Sequence, residues 1–141
     1  MDKSVTQDML RQAGWGERRG LGFSALIGPL WSRREGDGWA YGLLSGEQHA
    51  NQAGLVHGGL LATLMDQALS AVAWEALQRQ PCVTVQLDTH YLAAARPGQF
   101  LEARGTVLRA TSSLVFVQGD IRVGAAIVAS GQAVLKRLRG G

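Results

Sequence analysis

The chain has 141 residues, of which 46% are hydrophobic and 18% are charged. This length and composition suit one domain with a single hydrophobic core and exclude a second domain of ordinary size. The net charge is +3, and arginines make up most of the basic residues, but these are scattered, without zinc-finger spacing or an aromatic RNA-binding motif. Because arginine also suits the phosphates of a small molecule, charge alone leaves both kinds of partner open.

The compartment is predicted from what the sequence lacks. There is no run of about 18 apolar residues, and the N-terminus lacks the basic and then apolar plan of a secretory signal. A soluble, cytoplasmic protein is therefore expected. The single cysteine, Cys82, lies in a strand-like stretch, where a small buried hydrophobic residue is a better interpretation than a nucleophile.

The N-terminal third is predicted to hold one extension and one hairpin. Residues 1–20 are predicted to form a short helix or a flexible extension, and residues 21–141 a single domain. Residues 22–45 are predicted as two strands joined by a polar turn at 33–38, because its Asp-Gly step is a common hairpin signal.

One long helix is predicted after a glycine- and amide-rich loop at residues 46–59. Residues 60–78 are good helix formers without proline. The segment is apolar almost all the way round, which indicates a helix enclosed by protein. Asp66 lies in its middle.

Four strands are predicted after Pro81. In the first, Val83, Val85, Leu87, Thr89 and Tyr91 are expected on one face, with Thr84, Gln86, Asp88 and His90 on the other. Further strands are expected at about 99–110, 113–123 and 125–138. The prediction is therefore an α+β fold in which an antiparallel sheet of about six strands wraps around one long central helix.

The loop and helix also carry the candidate chemistry. Gly58 and Gly59 leave the first N–H groups of the helix free of side chains, so a carbonyl or an anion can approach these donors. Such a site can stabilise an oxyanion, although glycines at this position also simply permit close packing. A carboxylate at Asp66, among apolar neighbours, is costly to bury without a purpose, which favours function over a structural hydrogen bond.

The spacing of these two features predicts an oligomer. Gly58 and Asp66 are eight residues apart, which is roughly 12 Å along a helix. They cannot serve the same reacting carbon within one chain. If both are catalytic, two equivalent sites must be shared across a twofold dimer.

The pattern Asn51-x-x-Gly54-x-x-His57-Gly58-Gly59, followed by Asp66 nine residues after His57, resembles the signature of the phenylacetic acid degradation (PaaI-like) acyl-CoA thioesterases. The resemblance covers residues 22–138. It implies the hotdog fold, hydrolysis of acyl-CoA without a cofactor or a metal, and a homodimer assembled into a tetramer.

The resemblance also implies roles for individual residues. Asp66 matches the family's general base or nucleophile, and Gly58 the backbone N–H that polarises the thioester carbonyl. Asn51 matches a residue that orients water or the carbonyl, and Thr84 one that holds the attacking water. His57 fixes the loop and contacts the thioester, or only makes a structural hydrogen bond at the helix start; both interpretations stay open.

Substrate binding is implied at a second set of residues, which accompany Gly59 and would hold the phosphates of CoA. Its members are basic or hydroxyl-bearing: Arg96, Arg109, Thr111, Ser112, Ser113, Lys136 and Arg137. For any one of the charges, a solvated surface position is the competing interpretation.

Competing functions have weaker support in the sequence. His49, His57 and His90 lack metal-ligand spacing, and no activated serine accompanies Asp88 and His90. A hotdog dehydratase or hydratase would pair a histidine with an acid at another spacing. A non-catalytic acyl-CoA-binding module would not need Asp66. The acyl group, aryl or aliphatic, is not determined by the sequence.

Overall fold

The computed structural model describes residues 4–138. Three short helical segments, α1 (Gln7–Gln12), α2 (Phe23–Leu26) and a 3-10 turn (Glu47–His49), accompany the long helix α3 (Gly58–Ala76). The strands are β1 (Gly16–Arg18), β2 (Leu30–Glu35), β3 (Gly38–Leu44), β4 (Cys82–Tyr91), β5 (Phe100–Ala110), β6 (Leu114–Val123) and β7 (Ala126–Arg137). Within residues 4–138, no helix has the length and apolarity needed to cross a membrane.

The strands form one antiparallel sheet in the order β1-β2-β3-β5-β6-β7-β4. The predicted α+β architecture, with one long helix against an antiparallel sheet, is confirmed. The sheet has seven strands rather than about six, because the short strand β1 pairs with β2. Both α1 and β1 lie within residues 1–20, and the division of the chain at residue 20 stays a prediction.

The predicted hairpin is present, but its first strand is shorter than expected. The turn joins Glu35 to Gly38, and Gly36 has a φ of 57°, where glycine is favoured. The expectation of extended chain from residue 22 is wrong, because residues 23–26 form α2. Gly22 and Gly28 flank α2 with φ of 58° and 97°, and these left-handed residues interrupt an extended chain.

Helix α3 packs directly on the backbone of the sheet. Gly105 pairs with Gly119, which pairs in turn with Gly131, so glycines line up across three strands. A Cβ added at Gly119 would lie 2.8 Å from Cδ2 of Leu69, and one at Gly105 would lie 2.6 Å from the same atom. Because these glycines have no side chains, α3 can lie close to the sheet, and its residues Leu64, Met65 and Leu69 are fully buried.

A second apolar cluster covers the opposite face of the sheet. It contains Leu10, Trp15, Trp31, Ala40 and Phe100. The rings of Trp15 and Phe100 meet edge to face, with centroids 4.8 Å apart. We call the face against α3 the inner face and this opposite face the outer face. N-terminal side chains therefore pack on the outer face.

Strand β4 departs from the predicted alternation. Thr84 pairs with Leu135 and Gln86 pairs with Val134, so Val85 is an extra residue, a β-bulge. The prediction that Val83, Val85 and Leu87 share one face is wrong: Val83 and Val85 are 45% and 55% exposed, whereas Leu87 packs against the core. The bulge reverses the alternation along the strand, so Thr84 lies on the inner face together with Leu87.

Candidate active site

His57 caps the start of α3 and leaves one backbone donor free. Its Nδ1 accepts a hydrogen bond from the N–H of Gly59 at 2.8 Å, and its carbonyl accepts from the N–H groups of Leu60 and Leu61. The N–H of Gly58 has no acceptor among residues 4–138. The helix start therefore has a free donor at the positive end of the helix dipole. A neutral His57 with an accepting Nδ1 carries its proton on Nε2.

The loop before the helix is held by its own hydrogen bonds. Oδ1 of Asn51 accepts from the N–H groups of Ala53 (2.9 Å) and Leu55 (3.1 Å), and the N–H of Asn51 donates to the carbonyl of Leu55. The side-chain amide NH2 of Asn51 has no partner within the described part of the chain. Asn51 therefore shapes the loop with its oxygen and keeps two donors for a ligand.

His49, which lacks metal-ligand spacing, has a structural role. It is buried, its Nδ1 accepts from the N–H of Gly46 (3.0 Å), and its Nε2 bonds to the carbonyl of Ile27 (2.7 Å). Its own carbonyl accepts from the N–H of His57 at 2.8 Å. His49 thus joins the loop to the segment after α2, and no spacing in the sequence indicates this.

Asp66 lies half-buried in the middle of α3 and is held by a hydroxyl. Oγ1 of Thr84 donates to Oδ1 of Asp66 at 2.7 Å, and Oγ of Ser70 lies 3.4 Å from Oγ1 of Thr84. None of the ion pairs found in residues 4–138 includes Asp66. Ser70 was not predicted as a site residue; a serine one helical turn after Asp66, on a largely apolar helix, was the available signal.

The two candidate catalytic groups are far apart within one chain. Helix α3 is continuous from Gly58 past Asp66, so about 12 Å separates these residues along the axis. Strand β4, which carries Thr84, is the last strand at its edge of the sheet. Its exposed apolar side chains include Val83 and Val85. The carboxylate therefore lies beside a ten-residue strand whose free edge pairs with no other strand within residues 4–138.

The residues expected to bind CoA phosphates fall into two groups. Arg96 is exposed in the turn before β5. Its neighbour Ala95 accepts a hydrogen bond from the N–H of Val56, just before α3, so Arg96 lies near the start of this helix. Arg109 is exposed near the other end of β5, on the order of 30 Å away at the usual rise per residue. One chain therefore does not bring Arg96 and Arg109 together.

The other residues of this set lie at the same end as Arg109. The N–H of Arg137 donates to the carbonyl of Ser113 at 2.8 Å, and Lys136 pairs with Leu114 across the strands. Oγ1 of Thr111 accepts from the N–H of Leu114, so this hydroxyl shapes the turn, while Ser112 is exposed. The residues expected to bind phosphates at this end, Thr111, Ser112, Ser113, Lys136 and Arg137, are thus neighbours in the turn between β5 and β6 and at the adjoining end of β7.

Two other candidates from the sequence, the Asp88–His90 pair and Cys82, have no contact with Asp66 among the hydrogen bonds of residues 4–138. Asp88 and His90 line an open polar cleft of about 1010 Å³, together with Arg104 and Asp120, whose side chains belong to the outer face. Cys82 is half-buried, and burial raises the pKa of its thiol, which disfavours the nucleophilic thiolate.

Comparison with known proteins identifies the family of this chain. Residues 53–128 match the model of the family described as the thioesterase superfamily. The Pseudomonas aeruginosa protein PA0474, which carries an esterase name, is 34% identical over 111 residues, or 77% of this chain and 83% of that protein. Mouse acyl-coenzyme A thioesterase 13 is 34% identical over 76 residues; the match spans 53% of this chain and only about half (54%) of that protein.

Solved structures show the same fold. The Escherichia coli PaaI protein of the phenylacetic acid degradation operon superposes with a TM-score of 0.73 at 18% identity, covering 83% of this chain and 84% of that one. A Bacillus halodurans protein, crystallised with CoA, superposes with a TM-score of 0.66 at 27% identity over 70% of this chain and 66% of that one. The chain belongs to the thioesterase superfamily and has the hotdog fold, which it shares with the PaaI structure.

Proposed function

We propose that this protein hydrolyses acyl-CoA thioesters to a free acid and CoA. The observation that carries the proposal is Asp66, a carboxylate in the middle of the central helix that is held by the Thr84 hydroxyl and forms no ion pair within residues 4–138. The named activity of the mouse relative and the CoA in the Bacillus halodurans structure support the same substrate class. No part of the proposal requires a cofactor or a metal.

In the proposed reaction, Asp66 either takes a proton from the attacking water, as a general base, or attacks the thioester carbonyl itself, as a nucleophile. Thr84 donates to Oδ1 and so orients the carboxylate, while Oδ2 has no hydrogen bond within residues 4–138. The free N–H of Gly58 stabilises the developing oxyanion, aided by the helix dipole. Because a thiolate is a good leaving group, these elements suffice to break the C–S bond.

The groups around the helix start bind the substrate. The amide NH2 of Asn51 and the Nε2–H of His57 are the additional donors for the carbonyl or for the water, next to Gly59. The partly exposed segment from Thr111 to Ser113, with Lys136 and Arg137, is the candidate site for the CoA phosphates, with Arg109 at the same end of the sheet. Arg96 can contribute to this phosphate site only from another chain.

The proposed site is shared between two chains. An edge strand as long as β4 offers a row of unpaired backbone groups, and its exposed valines favour burial. If β4 pairs antiparallel with its own copy, Asp66 of one chain approaches the helix start of the other. We propose this homodimer as the active unit; its assembly into a tetramer stays a prediction.

The alternatives are weaker on specific grounds. A dehydratase or hydratase would pair its acid with a histidine, whereas the hydrogen-bond partner of Asp66 is Thr84. A non-catalytic acyl-CoA-binding module would gain nothing from an acid that costs free energy to bury. The carboxylate favours catalysis over binding alone.

Replacing Asp66 tests the activity. We expect Asp66→Asn to lower kcat by at least about a hundredfold, because the amide cannot accept the proton or attack, while the fold stays intact. The assay is release of free thiol from a panel of acyl-CoAs, which also identifies the acyl group. Glu75→Gln makes the same change on the same helix and serves as the control. Near-normal hydrolysis by a folded Asp66→Asn protein would remove Asp66 from the mechanism.

Mixing two inactive variants tests the shared site. Asp66→Ala lacks the carboxylate, and Gly58→Pro lacks the N–H donor, although proline is tolerated in a first helical turn. In a mixed dimer, the carboxylate of the Gly58→Pro chain meets the intact helix start of the Asp66→Ala chain, so activity should return at one site. Native mass spectrometry of differently tagged chains verifies exchange. Verified mixed dimers without recovered hydrolysis would contradict the shared site.

A further inference from the structure

Tyr91, at the end of β4, contacts the start of α3, although it lies outside the sequence motif from Asn51 to Asp66. Its hydroxyl donates to the carbonyl of Gly58 at 2.9 Å. A Cβ added at Gly58 would lie 3.4 Å from Cζ and 3.5 Å from Cε1 of Tyr91, so the ring packs against the bare Cα of this glycine. A glycine has no side chain to anchor it, and Tyr91 supplies the packing from outside.

The bulge at Val85 makes this contact possible. Thr84 and Tyr91 are seven residues apart, so an unbroken strand would direct them to opposite faces of the sheet. With Val85 as the extra residue, both lie on the inner face. One strand thereby holds Asp66 through Thr84 and the start of α3 through Tyr91.

The hydrogen bond of Tyr91 belongs to a chain that ends at His57. The carbonyl of Gly58 shares a peptide group with the N–H of Gly59, and that N–H donates to Nδ1 of His57 at 2.8 Å. Hydrogen bonds arranged in series polarise one another, so the Tyr91 hydroxyl strengthens the cap on His57. The chain fixes the orientation of the first peptide of α3 and of the imidazole together.

We propose that Tyr91 is a positioning residue for thioester hydrolysis. It holds the N–H of Gly58 and the Nε2–H of His57 in the arrangement that meets the thioester carbonyl, without touching the reacting atoms itself. This inference rests on the proposed function. Its distinguishing consequence is an effect on kcat rather than on KM, because misaligned donors weaken stabilisation of the transition state more than binding of CoA.

Tyr91→Phe removes the hydroxyl and keeps the ring. We expect kcat to fall about threefold to tenfold, the loss that corresponds to one neutral hydrogen bond, with KM changed by less than about twofold. Tyr41→Phe is the matched control: it removes the same atom from a tyrosine beside Glu75, Trp39 and Val72, away from Gly58. Equal kcat in the two variants would overturn the positioning role.

A double-mutant cycle tests whether Tyr91 acts through Gly58. Gly58→Ala keeps the N–H but places a Cβ against the Tyr91 ring. If the contact transmits the effect, Tyr91→Phe should lower kcat less in the Gly58→Ala background than in the wild type. If Tyr91→Phe instead lowers kcat by the same factor in both backgrounds, the two substitutions act independently, which would contradict transmission through Gly58.

An NMR readout is independent of turnover. In Tyr91→Phe, the amide resonance of Gly59 should shift and its hydrogen exchange should accelerate, whereas Tyr41→Phe should leave both unchanged. An unmoved Gly59 resonance would overturn the hydrogen-bonded chain even in an active enzyme. Failure of the proposed function looks different: the wild type releases no thiol from any acyl-CoA, and both proposals then fall together.

Discussion

Two carboxylates on opposite faces of the sheet are held in contrasting ways. On the inner face, Asp66 accepts a hydrogen bond from a neutral hydroxyl, that of Thr84. On the outer face, Glu35 accepts from Arg104 at 2.7 Å and from Arg33 at 2.6 Å. These hydrogen bonds, chiefly that of Arg104, lower the pKa of Glu35 to about 2. A carboxylate surrounded by guanidinium groups is fixed in its charged state, whereas one oriented by a hydroxyl can still react.

The surroundings of the two carboxylates differ in their tolerance to change. The inner face is packed against α3, with glycines on β5, β6 and β7 (Gly105, Gly119 and Gly131) where side chains of the helix come close to the strands. The outer face near Glu35 is built from long, partly exposed side chains, including Arg104 and Glu102, which can adjust to a substitution. The comparison predicts that small changes on the inner face cost stability or activity, and that changes in the ion pairs cost a modest amount of stability alone.

The largest effect is expected from Gly119→Ala. The new Cβ would lie 2.8 Å from Cδ2 of Leu69 and would also meet the carbonyl of Arg104, so α3 and the sheet must move apart. We expect a loss of about 3 kcal/mol in the free energy of unfolding, the upper part of the range for overpacking. Urea denaturation followed by circular dichroism measures it.

Gly16→Ala is the control for this substitution, because the nearest atom to a Cβ there is the carbonyl oxygen of Ser32 at 3.8 Å. We expect that variant to unfold within about 0.5 kcal/mol of the wild type. A Gly119→Ala protein as stable as Gly16→Ala would show that α3 does not depend on bare backbone at this strand.

A smaller effect, on activity alone, is expected from Thr84→Val. The isosteric change removes the hydroxyl that orients Asp66, and hydrogen bonds to charged groups contribute about 1.5–3 kcal/mol. We expect kcat to fall at least about tenfold, with little change in the unfolding midpoint. Thr84→Ser keeps the hydroxyl and should retain most activity. If Thr84→Val hydrolyses as fast as Thr84→Ser, the hydroxyl does not orient the reacting carboxylate.

The sequence was sufficient for the features that depend on composition and spacing. The apolar helix, the strands after Pro81 and the family motif from Asn51 to Asp66 were each recognisable from residue types at fixed intervals. The excess of arginine was recognisable too. Its use in ion pairs was not, because the pairing of Glu35 with Arg104 joins residues 69 positions apart.

The features that could not be predicted from the sequence depend on one extra residue in β4 and on contacts between distant parts of the chain. The bulge at Val85 has no signature in residue type, yet it reverses the alternation that the prediction relied on. The contact of Ser70 with Thr84 and that of Tyr91 with Gly58 depend on the packing of this bulged strand beside α3. The separation of Arg96 from Arg109 likewise could not be predicted, because it depends on the direction in which β5 runs.

The smallest effect is expected from Glu35→Gln, and it depends on pH. The folded-state pKa of about 2 lies below the ordinary value of 4.5, so the ion pairs stabilise the protein above about pH 4.5, and this contribution is lost as the pH falls toward 2. The side chains of Glu35 and Arg104 are about one-third exposed (32% and 36%). Solvent screening therefore reduces the expected contribution to about 1–2 kcal/mol.

The measurement is the difference in unfolding free energy between wild type and Glu35→Gln at several pH values. We expect about 1–2 kcal/mol at pH 7 and a difference that shrinks between about pH 4.5 and pH 2, as the wild-type carboxylate becomes protonated. Glu47→Gln, at an exposed position, should show no such dependence. Thioester hydrolysis at pH 7 should be unchanged in Glu35→Gln, because its carboxylate lies on the face away from Asp66. A large loss of kcat in this variant would break the division between a stabilising outer face and a reactive inner face.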